Sequence, residues 1–148
     1  MTDMTPDRMV ALRQPFPAAS VGKLPKGGVF LDYVGHAAVT DRLLTIDPEW
    51  SWEPMGVDPD TGLPVTDAKG NLWIKLTVCG VTRIGVGDGK SAKECIGDAI
   101  RNAAMRFGVA LDLWAKEDLV EFRMAAERGM VGGQPRATAD DFTKSATK

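Results

Sequence analysis

The sequence has one histidine, His36, and two cysteines, Cys79 and Cys95, which form no Cys-x-x-Cys pair. A structural zinc site draws about four ligands from such residues, so a metal centre is not expected. No stretch reaches the roughly 18–20 consecutive apolar residues of a membrane-spanning helix. The first ten residues carry Asp3 and Asp7 and no hydrophobic segment, so no secretory signal is expected. Two unpaired thiols without an export signal point to a reducing cytoplasm. Positive charge is also short: 18 Lys and Arg stand against 20 Asp and Glu, a net charge of −2. Residues 20–124 hold 12 Lys and Arg against 15 Asp and Glu. A whole-protein basic field is excluded, and any nucleic-acid site must be a local stripe. No nucleophile, base and orienting group recur together, so an enzyme is not expected.

What is present is an ordinary globular composition, 44% apolar and 26% charged over 148 residues. Pro6, Pro15 and Pro17 give residues 1–22 the character of an extended N-terminal arm. Residues 24–28 read as a turn or flexible loop, and residues 29–34 as a short apolar run. A helix is predicted over 35–44, stopped by Asp47-Pro48. A strand follows from Trp50 to Pro54, then a long connection, rich in Pro, Gly and Asp, over 57–71. Asp58, Asp60 and Asp67 in that connection read as turn formers. Leu72, Ile74, Leu76 and Val78 alternate with Trp73, Lys75 and Thr77, and residues 81–86 return across Cys79-Gly80. This is the best strand pair.

Residues 90–107 are the best helix, with Ala92, Cys95, Ile96, Ala99, Ile100, Ala103 and Phe107 at steps of three and four. Ser91 and Glu94 form a capping box, and Gly108 ends the helix. A second helix is predicted over 118–128, and residues 129–148 read as a disordered tail. The order predicts an α+β fold: a curved antiparallel sheet packed against a long helix.

Two features could carry chemistry. Gly85-Val86-Gly87-Asp88-Gly89-Lys90-Ser91 approaches a nucleotide phosphate loop, but only three residues separate Gly85 from Gly89 where that motif needs a fourth. No strand follows to supply its carboxylate. The second feature is a stripe along the helix made by Lys90, Lys93, Gly97 and Arg101. Most charged helix faces are only solvated. The glycine in this one costs about 1 kcal/mol relative to alanine and would let a backbone approach closely. The four tryptophans read as packing groups, with Trp73 the best candidate for base stacking because it lies opposite the apolar stripe. His36 reads as a capping or hydrogen-bonding group.

The segment from Gly85-Val86-Gly87-Asp88-Gly89 through Ser91-Ala92-Lys93-Glu94 and Asp98-Ala99-Ile100-Arg101-Asn102-Ala103-Ala104-Met105-Arg106-Phe107-Gly108 resembles the core of the Rad-fifty-two-type single-strand annealing proteins. Tyr33-Val34-Gly35-His36, Trp50 and Gly70-Asn71-Leu72-Trp73 resemble further pieces of that family in the same order, so the likeness spans residues 30–119. A short chain resembles the phage relatives Sak and Erf more than the longer eukaryotic form. The resemblance implies an annealing domain over residues 23–128, forming a ring-shaped homo-oligomer. It implies binding of single-stranded DNA through its backbone and annealing of complementary strands in recombination and repair, with neither ATP nor any other cofactor. It also leaves room for a single-strand-binding protein or an exonuclease as partner, and for a host cytoplasm if the chain is phage-encoded.

Carried over by position, the DNA-binding residues implied are Arg101, Lys93 and Lys90, with Arg106 and Asn102 beside them and Lys75 and Arg42 as compensating cations. The sequence departs from the family where Asn102 and Met105 stand at basic positions, Ala37 at an arginine and Asp47 at a groove tyrosine. Two other readings stand beside this one. One is a small α+β protein-interaction module without a nucleic-acid role; the other is a nucleotide-binding enzyme built on the Gly85 loop.

Overall fold

A computed structural model describes residues 2–131. Among them are four α-helices and two antiparallel sheets, the α+β class expected. The described residues divide into two compact units, one up to residue 111 and one from residue 112.

The N-terminal arm is not extended throughout. Thr5 accepts the Arg8 amide at 3.2 Å and Pro6 occupies the first turn, so Pro6–Leu12 forms helix α1. Proline is at home there because its missing N–H and fixed φ suit a helix start. Leu12 is buried. After a short 3₁₀ turn at Ala18–Ser20, Val21–Lys26 (β1) pairs with Val29–Val34 (β2). The expected loop at 24–28 is thus mostly strand. Only Gly27 and Gly28 form the tip, both at positive φ, the pattern that lets a two-residue hairpin follow the strand twist.

Helix α2 covers His36–Ile46 and buries Val39 and Leu43. The prediction stopped two residues early, and Asp47-Pro48 does end it. Ser51–Pro54 (β3), Leu72–Val78 (β4) and Val81–Gly87 (β5) make the second sheet in the order β3-β4-β5. Leu72, Ile74, Leu76 and Val78 are buried, as the alternation required. Cys79 and Gly80, both at positive φ, turn β4 into β5.

Helix α3 runs Ala92–Met105 across β4 and β5. Lys90 therefore precedes the helix rather than opening it. Ser91 is the N-cap and accepts the Glu94 amide at 3.2 Å, as the capping box predicted. Glu94 reaches back one residue further than expected, to the amide of Lys90 at 2.8 Å. Gly108, at φ 95, follows the helix end.

The expected second helix is much longer than 118–128. Helix α4 runs Leu111–Val131. Between Gly108 and Gly129 there is neither proline nor glycine, so nothing in the chain breaks the helix before Asp118. Gly129 lies inside its last turn, and the expected tail begins in helix; residues 132–148 lie outside the described residues. No helix among the described residues is long and apolar enough to cross a membrane.

Candidate nucleic-acid interface

The site is built around α3 and the glycines beneath it. A Cβ added at Gly85 would lie 2.4 Å from the Ala103 Cβ, and one at Gly87 would lie 2.2 Å from the Ala99 nitrogen. The two glycines let α3 rest directly on the backbone of β5, with small alanines facing them. Their spacing of two matches the strand period, and Ala99 and Ala103 match one helix turn. The Gly-x-Gly that resembled a phosphate loop is thus a helix seat.

Three of the amides in this segment are already taken. Along the edge of β5 and the loop after it, the Val86 amide donates to Asn102 Oδ1 at 3.1 Å. The Asp88 amide donates to Asp98 Oδ2 at 3.1 Å, and the Lys90 amide to Glu94 Oε2 at 2.8 Å. Steps of two along the strand meet steps of four along the helix. The periods fit because two strand residues advance about 6.6 Å and four helix residues about 6 Å. Three side chains of α3 therefore pair three donors at the end of β5 and in the loop after it. Burial pushes the Asp98 carboxyl above its usual range, against the lowering effect of the Asp88 amide and Arg101.

The ladder fixes where the acidic side chains of the helix lie: Glu94 and Asp98 each turn an oxygen to a backbone amide and keep their negative charge. Lys90 and Lys93 are exposed and make no ion pair among the described residues. Arg106, the C-cap of α3, is exposed too, again without an ion pair among those residues.

Arg101 is placed differently. Its side chain is only 23% exposed. Nε donates to the Val34 carbonyl at 2.7 Å, Nη1 lies 3.4 Å from Asp98, and the guanidinium is 5.9 Å from the Tyr33 ring centroid. It joins α3 to the end of β2. Gly97 also has a packing role that the sequence hid. An added Cβ would stand 2.8 Å from the His36 ring, so α2 begins against α3 at this glycine.

The remaining candidates divide. Asn102 is the first rung of the ladder. Arg42 Nη1 donates to the carbonyls of Leu12 at 3.1 Å and Gln14 at 2.8 Å, and its guanidinium stacks 4.0 Å above Phe16. It fastens α1 and the following turn to α2, and burial lowers its pKa. Lys75 lies on the outer face of the sheet, in register between Glu53 and Ile84.

That outer face was only glimpsed through Trp73. An open cleft of about 510 Å³ is lined by Met55, Gly56, Val65, Asp67, Trp73 and Ile84. Trp73 is 43% exposed and its indole N–H donates to Asp67 at 3.0 Å. Asp67 also accepts the Lys69 and Asn71 amides, and these bonds, led by that of Trp73, hold its pKa down to about 2. Asp58 accepts the Asp60 and Thr61 amides, so both aspartates do form turns.

No protein-family model matches this chain, and no curated protein matches its sequence.

Proposed function

We propose that the chain is a single-strand annealing protein of the Rad-fifty-two type. In this reading it binds single-stranded DNA by the phosphate backbone, assembles as a ring and pairs complementary strands in recombination without ATP. The observation that carries the reading is the placing of charge on α3: Asp98 and Glu94 turn to the amides of Asp88 and Lys90, while Lys90 and Lys93 stand exposed at its start without an ion pair among the described residues. Two lysines in a chain of net negative charge are thereby left available to a phosphate. Backbone contacts give affinity without sequence preference, and they leave bases free to pair with a second strand. Repetition around a ring would join such small sites into one track.

The ring itself is supported by apolar surface. Phe30 is 71% exposed on one face of the β1–β2 hairpin, Leu24 and Val29 are exposed on the other, and the outer cleft exposes Met55, Val65 and Ile84. Large exposed apolar groups in such number suit a contact between chains. The same surface also favours the second reading, a protein-interaction module. Of these surfaces the hairpin, with the most exposed of the large apolar groups, is the better candidate for a subunit contact.

The test is an annealing assay with complementary oligonucleotides, without nucleotide, alongside solution mass. Acceleration that falls with salt, from a large assembly, is the expected result. No binding to single strands at low salt would reject the reading in favour of the interaction module.

A further inference from the structure

The outer cleft has apolar walls and a charge at one point. Met55, Val65 and Ile84 stand about half exposed in it, and Trp73 lines it beside them. Among the residues lining it, Asp67 is the one that carries a charge. Four donors fix that carboxylate: the Lys69 and Asn71 amides on Oδ1, and the Asn71 side chain and the Trp73 indole on Oδ2. They fill the roughly four acceptor sites of a carboxylate, but they are neutral, so the negative charge stays. The surroundings have the same sign. Residues 53–68 contain Glu53, Asp58, Asp60 and Asp67 and neither lysine nor arginine. Lys75, on the same outer face of the sheet, lies in register with Glu53.

We propose that this cleft docks a partner protein through a segment in which arginine or lysine alternates with apolar residues. The apolar side chains lie against Met55, Val65 and Ile84. The cation sits against the Trp73 ring beside Asp67, held by charge and by the ring quadrupole, since the carboxylate has no acceptor site left for a new hydrogen bond. An open cleft of about 510 Å³ suits a chain that crosses it, whereas a small molecule needs walls that bury most of its surface. A partner with an excess of cations complements this surface; a second copy, at a net charge of −2, does not supply one. The site goes beyond the single-strand reading and does not depend on it.

The test uses the full chain and a labelled peptide of alternating leucine and arginine, followed by fluorescence anisotropy. Matched peptides carry glutamine or glutamate in place of arginine. The arginine peptide is expected to bind, and to shift tryptophan emission in the native chain but not in Trp73→Phe. Asp67→Asn removes the charge while keeping an acceptor for the indole, and should weaken binding about fivefold, the scale of an exposed charge pair. Asp58→Asn removes the same charge from a turn that does not line the cleft, and should leave affinity nearly unchanged. Equal weakening by the two variants would overturn the site, as would equal binding of the glutamine peptide or no binding of the arginine peptide at low salt. Emission that changes with protein concentration alone, in the native chain but not in Trp73→Phe, would assign the cleft to a second copy instead. None of these results bears on the single-strand reading, which the annealing assay decides.

Discussion

Asn102 accepts the amide of Val86 at 3.1 Å and so begins the ladder by which α3 takes up amides at the end of β5 and in the loop after it. The residue stands where the annealing family has a base, and its amide group has a structural task that a base could not perform, because lysine and arginine have no acceptor. Asn102→Leu should cost about 1 kcal/mol through the lost acceptor and the stranded Val86 donor. Asn102→Asp, which keeps an acceptor, should cost less. Denaturant unfolding of the two variants checks the order; equal losses would reject the ladder as a stabilising device.

A second tie lies at the turn between β4 and β5. Asp47 is 3% exposed, and its carboxylate accepts the Cys79 amide at 2.6 Å and the Glu49 amide at 2.9 Å. Cys79 occupies the left-handed region at φ 52, where a non-glycine residue is strained by about 1–2 kcal/mol. The bond to Asp47 holds it there. Asp47→Ala should destabilise by about 1–3 kcal/mol by leaving a buried amide unpaired. Cys79→Gly in the same background should recover part of that loss. Thermal melts of the single and double variants give the comparison.

The contrast between these residues shows what the sequence could reveal. The alternation of β4, the apolar steps of α3 and the Ser91 cap were legible because each is a local period or a local motif. The ladder was not, since it joins a period of two to a period of four across a loop, and Glu94 and Asp98 looked like ordinary solvated acids. Asp47 and Gly97 were opaque for the same reason: their partners, Cys79 and His36, are far away in sequence. Helix α1 was missed because prolines were read as breakers when one of them sits at the only helical position that favours it.

The Asp67–Trp73 bond gives a pH signature. The Asp67 carboxyl is held down to about 2 from the usual 3.8, so the folded state favours the ionised form. Its contribution is present above the usual value and is lost as pH falls through it towards 2. Asp67 is exposed, and water screens the effect, so the readout should be local rather than a change in global stability. The fluorescence difference between the native chain and Asp67→Asn should titrate with a midpoint near 2, reporting Trp73. A midpoint at the ordinary aspartate value would show that the indole bond is not made in solution.

The hairpin prediction concerns assembly. Phe30 is exposed on β2, so Phe30→Ser should change the stability of the subunit by no more than about 0.5 kcal/mol. Solution mass should move towards the monomer if the hairpin carries the contact between copies. Unchanged mass in the Phe30 variant, together with a loss in Ile84→Asp, would assign the contact to the outer cleft instead.

Gly87 and Gly97 should respond in opposite ways to the same methyl group. At Gly87 the added Cβ would meet backbone, 2.2 Å from the Ala99 nitrogen and 2.6 Å from the Cys95 carbonyl oxygen. Helix α3 would have to lift from the sheet, at a cost of about 3 kcal/mol or more. At Gly97 the obstacle is the ring of His36 at 2.8 Å, a side chain that is exposed and able to swing. Alanine also regains about 1 kcal/mol of helix propensity there. Gly97→Ala should therefore leave stability within about 1 kcal/mol of the native chain, while Gly87→Ala falls well below it. The pair also separates packing from function at Gly97. A stable Gly97→Ala protein that binds oligo(dT) normally would assign that glycine to His36 alone. Weakened binding at unchanged stability would mean that a nucleic-acid backbone also comes close to α3 at this point.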